Sequence, residues 1–399
     1  MKKLTLLALL ACMPLMAPTG KRYIPTLDEI RKAFLEYFMK EGFVRVEPKS
    51  VVTPDGKIIG SAATAFKDFI MHPKGNPSDI ITIQYCIRAY GHFDDKPTVR
   101  ASEHHVTYFP SLAFFSQNKG SYRRNIYRMV LFLIEHLGLD RDRFYVTMHK
   151  DDREAALAIQ GLMQEGKLLQ GHSFAFDEEN MWKEEEHGGL RGFSTEFFID
   201  QRPEKMRQKR PIKKDFMNGN LLELASIVSY KEMVSPAPYG TPPPAPMPVP
   251  CCMNGKSLSP YRIPSALNPV SSTTPPPSLY DLPEIKPIMH SVEKATSKNY
   301  NTADKETRAA MRVITDHMRT AVVLMANGVK TSDKTEAGTC LRGLLEEAQN
   351  AAKTIAPKKA ILPHVTRAVI KVMKPTHPEI GKKSSMIIKA VQKETNHKK

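Results

Sequence analysis

The sequence predicts an α+β fold: an antiparallel sheet flanked by helices, followed by an α-helical region. Three observations carry this. Strand-like and helical segments are mixed through residues 26–230, and the strands read as hairpin-connected. A Pro-dominated run then interrupts the chain over 235–280. From about residue 303 the apolar spacing becomes helical.

Residues 26–40 read as an amphipathic helix. Thr26 and Glu29 have capping-box spacing, and Ile30, Phe34, Tyr37 and Phe38 fall on one face. Residues 43–52 read as a strand and its exit. The runs 80–88 and 104–116 are rich in β-branched and aromatic residues and would pair as a long hairpin around a charged loop at 91–100. Residues 122–137 and 152–164 have helical period; 144–148, 193–200 and 221–230 are strand-like. The Pro-rich segment offers too little apolar surface to offset its ordering entropy, which predicts an extended or disordered linker. Beyond it, Met311, Ile314, His317, Met318, Ala321, Leu324 and Met325 trace one face of a long helix. Helices over 340–353 and 361–373 and a Lys-rich tail follow. No internal repeat is evident. The predicted organisation is an N-terminal leader or extension (1–22), an α+β domain (23–234), the linker (235–280) and a helical domain (281–399).

A chain of 399 residues can bury a sizeable core. Its net charge of +16 favours a polyanionic partner, nucleic acid first. The five cysteines, Cys12, Cys86, Cys251, Cys252 and Cys340, have neither a disulfide framework's spacing nor a zinc site's, and no metal ligand set is predicted. Met1-Lys2-Lys3 before an apolar stretch, with Leu9-Leu10-Ala11-Cys12, has the form of a short export signal; the alternative is a fortuitous apolar start. No other segment reaches the length of a membrane span.

Gln84-Tyr85-Cys86-Ile87-Arg88-Ala89, followed by His104-His105, has the layout of a phosphate-gripping hairpin. An arginine fork makes two charge-assisted hydrogen bonds to phosphate or carboxylate. Together with its surroundings, this stretch resembles the alanyl-tRNA synthetases, a class II family. The segment from Thr26 to Phe38 is similar to that family's opening helix, and Cys86-Ile87-Arg88-Ala89 to the start of its second motif. His104-His105 with Thr107-Tyr108-Phe109 resembles that motif's second strand. Asn180-Met181-Trp182, the run from Gly189 to Glu196, Glu223 with Ile227-Val228, and the block from Arg312 to Arg319 with Asn327-Gly328-Val329 follow in the family's order.

The resemblance implies a class II synthetase-like sheet, a helical tRNA-recognition domain, and ATP-dependent activation of alanine with transfer to tRNA, using ATP and Mg²⁺ in the cytoplasm. Arg88 would hold the ATP α-phosphate, with His104 and His105 beside the nucleotide. Trp182, Val228, Gly189, Gly192, Thr195 and Glu196 would form the alanine pocket, and Arg319, Asp333 and Arg342 would meet tRNA. The alternative is a synthetase-like protein without activity that binds tRNA or another structured RNA. Departures from the family pattern motivate it. Tyr90 would crowd a ligand-approach point. Glu103 would put negative charge where a phosphate is expected. Ile288 to Lys294 stand where the third motif's ammonium-binding Asp and second ATP-binding Arg should lie. An exported or organellar location is the alternative if the leader is functional. The sequence leaves the oligomeric state open.

Overall fold

The computed structural model describes residues 25–72, 78–91, 93–118, 120–183, 189–234, 247–248, 254–258, 260–267 and 278–396. The strands among them, in chain order, are β1 (Val44–Arg45), β2 (Asp79–Ile87), β3 (Ala89–Tyr90), β4 (Phe93–Asp94), β5 (Tyr108–Ser116), β6 (Phe144–His149), β7 (Ser173–Phe176), β8 (Met181–Lys183), β9 (Gly189–Asp200), β10 (Leu221–Val234), β11 (Met247–Pro248) and β12 (Asn254–Leu258). The fold is α+β as expected, with mostly antiparallel pairing and a helical C-terminal region. It divides into two compact units that interleave along the chain. Of the described residues, the first takes those within 25–47, 66–83 and 112–267; the second takes those within 48–65, 84–111 and 278–396. The expected linear split near residue 235 is therefore not how the described chain is grouped.

The large sheet runs β1-β2-β5-β12-β10-β9-β6-β7, with β11 on β10 and β8 on β9. The long β9–β10 ladder is antiparallel and bulged between Glu223 and Ala225 and between Tyr230 and Glu232. The helix Leu27–Lys40 begins with the predicted capping box: Thr26 accepts from the Glu29 amide, and Glu29 accepts from the Thr26 amide. Phe34 and Phe38 are fully buried and meet Phe132. The helices Ser121–Leu131 and Arg153–Gln164 pack on each other. Arg143 is buried, with Nε donating to the Asp200 carbonyl at 2.9 Å.

Several sequence expectations change. Of the strand and exit expected over 43–52, the strand is β1 alone, and Pro48, which has no N–H for a ladder, lies in the exit. Within the expected linker, Asn254–Leu258 forms β12, paired with both β5 and β10. These five residues contain no proline and keep every ladder donor. The leader, Cys12, Cys251 and Cys252 lie outside the described residues.

In the second unit, the connection expected as a charged loop holds the β3–β4 hairpin and a helix, Lys96–Ala101, with proline in its first turn, where the missing N–H costs nothing. The helix Lys305–Ala326 is buried along most of its length and packs against Lys96–Ala101, Glu336–Ile355 and Leu362–Met373. Residues 288–294 fall in a helix, Lys286–Thr296, and the Lys-rich tail continues as Ser384–Asn396. No described helix is long and apolar enough to cross a membrane.

Candidate functional site

The first unit carries a face that is apolar at one end and polar at the other, built by register. β6, β9 and β10 align Thr147, Glu196 and Ser226 in one row, and Ser194 opposite Val228. Because side chains alternate along a strand, Gly192, Ser194 and Glu196 share that face with Ser226, Val228 and Tyr230. Trp182 sits opposite Gly192, and its ring meets Tyr230 edge-on at 5.6 Å. Val228 and Tyr230 are buried and Trp182 is partly buried, so these three make an apolar wall.

Gly192 keeps the wall closed. A Cβ there would lie 2.1 Å from the Ser229 carbonyl oxygen and 2.9 Å from Tyr230 Cα. Both are backbone atoms of the paired strand and cannot step aside. Gly192→Ala is expected to cost about 1–3 kcal/mol in urea unfolding. It should also shift the emission of Trp182, the only tryptophan in the chain. Unchanged stability and emission would contradict this packing. Gly189 pairs with Val234 at the start of β9.

The polar end of the face is acidic. Ser194 Oγ donates to Glu196 Oε1 at 3.0 Å. Asn180, fully buried, donates from Nδ2 to Thr147 Oγ1 at 2.9 Å, and its Oδ1 has no hydrogen-bond partner among the described residues. Burial, with the Glu223 charge next, pushes the Glu196 carboxyl up to about 8 against the pull of the Ser194 hydroxyl. Glu223 in turn pairs with Arg262 at 3.4 Å.

Thr195 belongs elsewhere, contrary to expectation. Adjacent residues on a strand point to opposite faces. Its hydroxyl lies 2.9 Å from Tyr122 Oη, which donates to Asp152 at 2.8 Å, and all three side chains are buried. Thr195 therefore joins β9 to the helices behind the sheet, opposite the Glu196 face.

The second unit carries an anion-competent arginine. Arg88 follows β2 directly. Its Nε donates to the Gly60 carbonyl at 3.2 Å, and its guanidinium carbon lies 5.1 Å from the Phe93 ring centroid and 5.4 Å from that of Phe109. Gly60 permits this arrangement, since a Cβ there would lie 2.4 Å from the Phe93 ring. Among the described residues no carboxylate forms an ion pair with Arg88. Its charge is held by rings and one carbonyl, which fits a group that takes an anion. Tyr90, expected to crowd this region, is 40% exposed on the β3–β4 hairpin.

His104 lies in a turn and His105 directly after it, neither in the strand expected there, and His105 Nδ1 is 3.0 Å from Ser102 Oγ. Glu103 does not present a free negative charge. Its Oε1 accepts from Tyr300 Oη at 3.0 Å and pairs with Arg312 at 3.5 Å. The tRNA-contact expectation fails for Arg319. It is 2% exposed, with Nη1 3.9 Å from Asp316 and Nη2 3.5 Å from the Tyr108 carbonyl. Arg342 is exposed but already donates to the carbonyls of Thr331 and Asp333, while Asp333 accepts from the Lys330 amide. These two build a surface turn together. Among the described residues no group of three or more His, Cys, Asp or Glu is placed to hold a metal.

Tyr230, Phe93 and Gly60 were not anticipated. Tyr230 is two residues beyond Val228, so strand alternation puts it on the pocket face. Phe93 and Gly60 carry no local signal.

The chain matches the family model "tRNA synthetases class II (A)" over residues 29–398. It belongs to the class II tRNA synthetase (A) family. The alanine–tRNA ligase of Bdellovibrio bacteriovorus is 28% identical over 382 residues, covering 92% of this chain and 40% of that protein. That of Campylobacter jejuni (serotype O:6) is 28% identical over 376 residues, covering 92% and 41%. This class II chain thus spans about two-fifths of the length of the curated relatives it matches. A histidyl-tRNA synthetase from S. aureus, solved in apo form, aligns over 63% of this chain and 70% of its own, at 11% identity and a TM-score of 0.35.

Proposed function

We propose that this chain activates alanine with ATP and transfers it to tRNA, as alanine–tRNA ligases do. The observation that carries the reading is the Trp182–Tyr230–Val228 wall beside the acidic Glu196 end. It offers a small apolar surface for a methyl group and acceptors for an ammonium. The ordered likeness to alanine–tRNA ligases supports the same reading.

The first step joins the alanine carboxylate to the ATP α-phosphorus and releases pyrophosphate. The nucleotide supplies the leaving group. The protein's part is positioning and charge neutralisation. Arg88 fits the phosphate, because its fork is oriented by two rings and no carboxylate among the described residues neutralises it. Mg²⁺ would arrive with the nucleotide, held mainly by its phosphates. The +16 net charge suits tRNA as the acceptor.

The test is alanine-dependent exchange of labelled pyrophosphate into ATP at micromolar enzyme. Exchange with alanine is expected, and its absence overturns the reading. One observation favours the RNA-binding alternative: the helix Lys286–Thr296, where the third motif is expected, contains no arginine. Under that alternative, exchange is absent while RNA binding remains and falls steeply from low to moderate salt.

A further inference from the structure

We propose that Glu196, with the Asn180 side-chain oxygen as second acceptor, holds the ammonium of the bound amino acid. This deepens the amino-acid reading of the β9–β10 face and rests on it. An α-ammonium carries three donors and a full charge, so its site needs a carboxylate and at least one further acceptor, close to whatever reads the side chain. Glu196 and Val228 stand on one face, one pairing step apart in the β9–β10 ladder: Glu196 opposite Ser226, Ser194 opposite Val228. Ser194 Oγ fixes Glu196 Oε1 at 3.0 Å.

Asn180 is tied into the same face. Its Nδ2 donates to Thr147, which lies opposite Glu196, at 2.9 Å, and approaches Ser194 at 3.4 Å. That geometry leaves Oδ1 as a fully buried acceptor with no donor among the described residues. A buried amide oxygen without a donor is costly, and an incoming N–H group removes the cost. The third-motif segment forms the helix Lys286–Thr296, whose only acidic residue, Glu293, already accepts from the Tyr300 amide at 2.8 Å. That glutamate is committed to local structure.

Among the described residues, the charged groups around Glu196 are Glu223 on β10 and Arg262 paired with Glu223; His149, at the end of β6, stacks instead on Phe193 with ring centroids 4.1 Å apart, on the opposite face of β9. Glu223 sits beyond the bulge opposite Phe198 and acts on Glu196 through its charge.

The experiment is calorimetric titration of the full chain with L-alaninol, which has the ammonium and methyl but no carboxylate, and with propionate, which has the carboxylate and methyl only. Wild type is expected to bind alaninol, and Glu196→Gln, a near-isosteric change, to weaken that binding by about tenfold or more. Alaninol binding should strengthen as pH rises through about 8. Glu223→Gln should keep the binding but move its midpoint to lower pH, which a merely structural role for Glu196 would not do. Wild type that binds propionate but not alaninol, or neither, overturns the proposal; so does a Glu196→Gln protein that melts like wild type and binds alaninol equally well. Exchange activity separates the two readings. Active wild type with an unchanged alanine KM in Glu196→Gln removes Glu196 and leaves the ligase. Glu196-dependent alaninol binding without exchange removes the ligase and leaves the ammonium site.

Discussion

Asp316→Ala is expected to destabilise the second unit by about 3–5 kcal/mol, enough to unfold it at moderate urea. Asp316 is fully buried in the helix Lys305–Ala326. Its Oδ1 accepts from the Thr107 amide at 2.9 Å, and its Oδ2 from the Thr107 hydroxyl at 2.7 Å. His317 Nδ1 lies 3.1 Å from Oδ2, and Thr320 Oγ1 lies 2.6 Å from Thr107 Oγ1. Truncation leaves a buried amide, a hydroxyl and the Arg319 cation without this acceptor, each at a desolvation cost. The effect should depend on pH. Burial opposes a proton on His317, but hydrogen bonds to Asp316 and Glu347 outweigh it and raise its pKa. A raised histidine pKa adds stability that is full below the unfolded-state value and is lost as pH rises through the folded one. Asp316→Ala should therefore cost more at about pH 6 than at about pH 9. Urea melts at the two pH values check this; equal losses would mean that His317 draws nothing from Asp316.

Arg88→Ala is expected to lower alanine-dependent pyrophosphate exchange by about 10²–10³-fold while leaving the fold nearly intact. The structural role of Arg88 is small: one hydrogen bond to Gly60 and two ring contacts, each worth about 0.5–1 kcal/mol at a partly exposed site. Its functional role is large if it neutralises charge developing on phosphate. Arg88→Lys should not rescue, because an ammonium lacks the planar fork and stacks poorly between Phe93 and Phe109. Titration with ATP–Mg²⁺ separates the two contributions. Loss of stability without loss of ATP binding would make Arg88 a packing residue.

Much of this was legible in the sequence because it depends on local periodicity and on residue types with few uses. Thr26 and Glu29 mark a helix start by spacing alone, and the capping box forms as spaced. The helical period after residue 303 needs only 3.6-residue repetition of apolar side chains to predict burial along one face. What that period could not show is that the helix Lys305–Ala326 is covered on nearly all sides, which is why Arg319 looked available for RNA and is buried beside Asp316. The Pro-rich stretch misled for a related reason. Its composition is an average, and five proline-free residues within it suffice to complete a ladder.

The sequence by itself determined the class II family, the α+β order of elements, the helix caps and the residue types available to a nucleotide and an amino acid. The tertiary structure alone decided which of those residues face a ligand. Strand register set Glu196 on the same face as Trp182 and Val228 and turned Thr195 to the helices behind. Glu103, a negative charge in sequence, is paired in space with Arg312 and Tyr300, and Arg88 is held by rings contributed from other segments. The reason is physical. Periodicity is a property of neighbours along the chain, whereas a charge is free or paired, and a side chain inward or outward, only with respect to segments far away in sequence.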